Sequence, residues 1–133
     1  MQKFLDKFGC DNFGMMTKNA DGTTLVTFTH NGKAICIEAS WKGYASAWLA
    51  EYPWNSRRKS DRSTWNARAI AQGKIAVPSM IRDWVKAQIT MVEIGAFEFD
   101  EAFLPHIQLT DGRRVIDHAR DGGLLGLPKP DEG

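Results

Sequence analysis

Apolar residues between Pro78 and Pro105 recur at helical spacing, with Ile81, Trp84, Val85, Ile89, Val92, Ala96, Phe99 and Phe103 on one stripe. Ser79 is placed to cap the N-terminus and Pro105 cannot continue a helix, so the pattern predicts one long helix between the two prolines. Met80, Ala87, Met91 and Ile94 widen the stripe and predict burial on more than one side.

The first forty residues carry a different period. Phe4, Leu5 and Phe8 predict a short helix over Gln2–Phe8, stopped by Gly9. Phe13–Lys18, Thr23–Thr29 and Lys33–Glu38 are rich in residues that favour strands, and the turn signals Asn19-Ala20-Asp21-Gly22 and Asn31-Gly32 separate them. Together they predict a three-stranded antiparallel meander. Ser40 is an N-cap candidate for a helix over Trp41–Tyr52, with Trp41, Tyr44, Ala45, Trp48, Leu49 and Tyr52 on one face. Such an aromatic stripe is expected in the core, although it could also serve as a binding surface.

Asn55–Thr64 breaks the pattern, because Arg57, Arg58, Lys59 and Arg62 stand among serines with almost no apolar residue. An exposed, mobile loop is expected there. Trp65–Gln72 predicts a short helix stopped by Gly73, and Lys74–Val77 an extended link into the long helix. Beyond Pro105, His106–Leu109 alternates like a fourth strand and Thr110-Asp111-Gly112 turns. Arg113–Ala119 is a strand or a short helix. The fold class is therefore α+β: a small antiparallel sheet packed against a long C-terminal helix and a shorter aromatic helix. One domain is expected over residues 1–121. A flexible tail over 122–133 follows, whose leucines could dock on the domain or on a second copy in a homodimer.

Composition narrows the class without naming a function. A chain of 133 residues with 43% hydrophobic and 25% charged residues supports a core without staples, and a net charge of +1 excludes a globally cationic nucleic-acid binder. Lys3, Asp6 and Lys7 interrupt the first ten residues, so no signal peptide is expected, and no window approaches a membrane span. Cys10 and Cys36 have neither a CxxC spacing nor a histidine pair. They are expected as free thiols in a reducing cytoplasm, with a disulfide between them the alternative.

Catalytic chemistry finds little purchase. His106 and His118 flank a turn carrying Asp111 and Asp117, but their spacing fits no metal motif, and His30 lies beside a hairpin turn. No nucleophile setting or phosphate-cradling glycine loop is present. No enzyme, metal or cofactor is expected. The basic stretch is the stronger candidate: Arg57, Arg58, Lys59 and Arg62 lie between Trp54 and Trp65, cations for phosphates and indoles that can stack on unpaired bases. The same residues could grip an acidic protein or remain solvated. Glu93, Glu98, Asp100 and Glu101 form an acidic end on the predicted long helix, unfavourable for its macrodipole, and so a candidate partner face able to imitate phosphate charge.

The Asn31-Gly32 hairpin, the aromatic helix, Ile81-Arg82-Asp83-Trp84-Val85-Lys86-Ala87-Gln88, and Glu101-Ala102-Phe103-Leu104-Pro105 followed by Thr110-Asp111-Gly112-Arg113 resemble a group of small phage and prophage accessory proteins over roughly residues 23–119. The motifs are structural, and no functional residue carries over. The resemblance implies a bacterial cytoplasm and a role during infection or prophage life. Two functions are expected from it and from the lack of chemistry. One is a non-enzymatic binder of a host protein complex, such as an inhibitor of a bacterial defence nuclease of the CRISPR type. The other is a nucleic-acid-binding accessory of phage recombination or replication.

Overall fold

The computed structural model describes residues 1–126. Its elements are α1 (Gln2–Phe8), β1 (Asp11–Lys18), β2 (Thr23–His30), β3 (Lys33–Ser40), α2 (Trp41–Glu51), α3 (Arg62–Glu93), α4 (Phe99–Phe103), a 3-10 turn at Leu104–His106, and α5 (Val115–Asp121). The fold is α+β. The three strands form one sheet in the order β1-β2-β3, the expected meander. Asn31 and Gly32 both take positive φ in the turn joining β2 to β3. The expected fourth strand is reduced to an isolated antiparallel bridge between Ile35 and Ile107. Arg113–Ala119 resolves as a helix, α5, whose first turn Asp117 closes by bonding back to Arg114.

The long helix departs from its expected bounds at both ends. It starts at Arg62 and runs through Gly73 and Pro78, both read as boundaries, and it stops at Glu93. The reason lies in the burial pattern: Trp65, Ala69, Gly73, Val77, Ile81, Val85 and Ile89 are all buried, an unbroken row at every fourth position. Tertiary burial along that row outweighs the ladder bond that Pro78 removes. Gly73 is a contact rather than a stop, because a Cβ there would lie 2.5 Å from the carbonyl oxygen of Trp41. The true stop is Gly95 at φ +78, with the Ala96 amide donating to the Met91 carbonyl and the Gly95 amide to Val92. That is a Schellman closure, and it separates α4 from the helix once expected to include it.

Contacts divide the chain into two compact units. One comprises Met1–Phe13, Thr27–Ile37 and the residues from Ala87 on; the other comprises Gly14–Val26 and Glu38–Lys86. In the first, Leu5, Phe28, Ile35 and Phe103 are fully buried, and Phe28 meets Phe103 edge to face at 5.7 Å. In the second, Thr24, Val26, Ala69 and Val85 are fully buried, and the Trp41 indole donates to the Thr23 carbonyl, fastening α2 to β2. Of the expected tail, Gly122–Gly126 continues beyond α5, with Leu124 and Leu125 80% and 53% exposed; Leu127 onward lies outside the described residues.

Candidate functional site

The site forms where the chain leaves α2 and enters α3. Ser40 caps the start of α2 by accepting from the Gly43 amide. At the other end Pro53 cannot continue the helix, and the chain turns back through residues 53–61. Asp61 then caps α3, its carboxylate accepting from the Thr64 amide at 2.7 Å. That bond holds the Asp61 carboxyl below its ordinary range.

The stretch expected to be mobile is tied to both helices. The Trp65 indole N–H donates to the Tyr52 carbonyl at 2.8 Å, and that of Trp54 donates to the Ser60 carbonyl at 2.9 Å. Arg58 donates from Nε to the Pro53 carbonyl at 3.0 Å. Asn55 accepts the Arg57 amide on its side chain and the Arg58 amide on its carbonyl, folding the basic run into a tight turn. Both indole N–H groups thus serve as chain fasteners.

Its aromatic floor holds the cations in place. Trp65 is buried and packs against Trp48 at 5.0 Å, and Trp48 in turn meets Tyr52 at 5.3 Å. The Arg58 guanidinium lies 4.0 Å from the Trp65 ring centre and Arg68 lies 5.3 Å from it, while Arg62 stacks on Trp54 at 4.9 Å. Arg57, Arg58, Lys59 and Arg68 converge with Trp65 on an open cavity of about 470 Å³, to which Asn55 and Ser60 add polar atoms. No carboxylate among the described residues lines it. None of these cations has an ion-pair partner among the described residues.

Four of the six residues singled out in the basic stretch therefore meet at one cavity: Arg57, Arg58, Lys59 and Trp65. Arg62 and Trp54 form a separate stacked pair beside it in sequence. Arg68 was missed, although the helix predicted over Trp65–Gln72 already set it three residues from Trp65 on one face. Both indole N–H groups are engaged, and each ring carries a guanidinium group, Arg62 on Trp54 and Arg58 on Trp65.

The acidic residues belong to the first unit and are not one helix end. Glu93 is the last residue of α3, whereas Glu98 and Glu101 form the reciprocal capping box of α4 and Asp100 pairs with Lys33. Three of the four thus stand at a helix N-terminus, where negative charge is favourable, and the macrodipole conflict remains only at Glu93. The histidines are likewise engaged. His30 stacks on Phe8 at 4.9 Å and meets Phe99 at a tilt at 4.4 Å, and its Nδ1 lies 3.9 Å from the Cys10 sulfur. Burial pushes the Cys10 thiol up to about 11, so it is protonated at neutral pH. Neither Cys10 nor Cys36 forms a disulfide. His118 bonds Asp111 at 2.7 Å, and burial holds His106 below its ordinary range. No cluster of three or more potential metal ligands occurs among the described residues, and no helix there is long and apolar enough to cross a membrane.

No family model, no curated protein and no solved structure matches this chain.

Proposed function

We propose that this chain is a non-enzymatic nucleic-acid-binding accessory protein of phage origin, acting in the bacterial cytoplasm through the cavity of the second unit. One observation carries the reading: Arg57, Arg58, Lys59 and Arg68 surround a single concavity that no acidic residue lines among the described residues. Unpaired cations held close together repel one another, and an entering polyanion relieves that repulsion while releasing its own counterions. The Trp65 floor supports Arg58 and Arg68, and the Arg58 bond to Pro53 sets that guanidinium before a ligand arrives, which lowers the ordering cost of binding. The test is a titration of labelled single- and double-stranded oligonucleotides at several salt concentrations. Affinity should fall steeply with salt and vanish when all four cations become Ala; salt-independent binding, or binding retained by the quadruple variant, would reject the site.

The second reading is a binder of a host protein complex, such as an inhibitor of a defence nuclease. It is favoured by Ile75 and Met80 on α3, which are 70% and 59% exposed and offer apolar surface that a phosphate ligand does not use. A pull-down from bacterial lysate with and without nuclease separates the two. A protein partner that survives nuclease supports the second reading, and recovery of nuclease-sensitive material alone supports the first.

A further inference from the structure

The cavity's shape restricts which part of a strand it can hold. A surface that tracks a nucleic-acid backbone spreads its cations along a groove with open ends, one per phosphate. Here Arg57, Arg58, Lys59 and Arg68 are drawn around one concavity of about 470 Å³. That concentration of donors matches a compact group of high charge. An internal phosphodiester carries a single negative charge and is flanked by sugar on both sides. A terminal phosphate monoester carries about −1.5 to −2 near neutral pH and presents three strong acceptor oxygens.

The fixed residues favour the same group. Arg58 is pinned through Nε to the Pro53 carbonyl and lies on the Trp65 ring, while its terminal nitrogens have no partner among the described residues. It is a preset planar fork of the kind that binds phosphate bidentately. Arg68 reaches the same ring from the first turns of α3, on a rigid element. The bases, by contrast, find nothing to read: the Trp65 face is occupied and its N–H is bonded to Tyr52. Recognition is thus concentrated on one anionic group.

Resting on the nucleic-acid reading above, we infer that the cavity seats the terminal phosphate monoester of a nucleic-acid strand in preference to internal phosphodiesters. Arg58 grips the phosphate oxygens, and Arg57, Lys59 and Arg68 neutralise its second charge. The strand continues outward, and its sequence is not read.

The experiment uses the full chain and three oligonucleotides of one sequence, bearing a 5′-phosphate, a 3′-phosphate or hydroxyl groups at both ends. Binding is followed by anisotropy, with inorganic phosphate and a nucleoside monophosphate as competitors. At least one phosphorylated end should bind about tenfold more tightly than the hydroxyl-ended strand. The preference should shrink as pH falls through about 6, where the monoester loses its second charge. Arg58→Gln should erase the preference, while Arg62→Gln, outside the cavity, should keep it. Equal affinity for all three strands, with the salt dependence intact, overturns this inference and leaves the nucleic-acid reading standing. Failure of a large excess of nucleoside monophosphate to displace the phosphorylated strand also overturns it, because the cavity would then not be holding the monoester. Failure of every oligonucleotide to bind overturns the nucleic-acid reading itself.

Discussion

The two units use the same kinds of side chain to opposite ends. In the first, charge is matched within the protein: Lys33 with Asp100, Arg113 with Asp121, Arg114 with Asp117, and His118 with Asp111. Its aromatic rings stack on one another and on His30. In the second, the rings of Trp54 and Trp65 lie under Arg58, Arg62 and Arg68, and those cations have no acidic partner among the described residues. Matched charge is fully used by the fold itself. Unmatched charge on an aromatic support is available to a ligand, and that contrast is why we place the proposed site in one region and not the other.

The comparison breaks most sharply at Trp65. Trp65→Ala removes a buried indole, its bond to Tyr52 and the support of two arginines, and should cost about 3–5 kcal/mol in urea unfolding while abolishing binding. A variant that binds normally would show that the floor does not hold the cations. Gly73→Ala probes the same unit away from the cavity. Its Cβ would drive into the Trp41 carbonyl, for a loss of about 1–3 kcal/mol, and binding by the folded fraction should be unchanged.

Smaller effects sharpen the contrast. Arg68→Ala should leave stability within about 0.5 kcal/mol, as an exposed substitution, yet weaken binding several-fold and lower the salt slope by about one phosphate contact. Asp100→Asn in the first unit should reverse that pattern, costing at most about 1 kcal/mol and leaving affinity untouched. The least effect is expected from Asp61. Its carboxyl is held below the ordinary value by the Thr64 amide, so its contribution is full above the unfolded value near 4 and fades as pH falls through the lower folded one. The wild-type melting temperature should therefore drop on acidification by slightly more than that of Asp61→Ala. An identical acid dependence would remove the cap from the account.

Much of this was legible in the residue pattern. The meander was readable because Asn31-Gly32 and the alternation of Thr24, Val26 and Phe28 are local signals that the tertiary structure left in place. The start of α3 was not, because Gly73 and Pro78 carry strong local preferences that a continuous buried row overrides. Gly95 was overlooked for the opposite reason, as the apolar stripe seemed to run on through Ala96 to Phe103. The basic stretch identified itself by composition, so Arg57, Arg58 and Lys59 were found. Composition could not say that the loop is fastened, that Arg68 joins it, or that the indoles face their own arginines. Those facts depend on hydrogen bonds between Tyr52 and Trp65 and between Trp54 and Ser60, pairs that no periodicity marks.

The contrast between matched and unmatched charge is tested most directly by the salt dependence of oligonucleotide binding to the full chain. With the four cations seating one terminal phosphate of about two charges, the logarithm of affinity should fall against the logarithm of salt with a slope near −1.4 (about 0.7 per charge neutralised). The slope should flatten as Arg57, Arg58, Lys59 and Arg68 are removed one by one. A slope near zero, or one that the four substitutions leave unchanged, would contradict the assignment of the cavity.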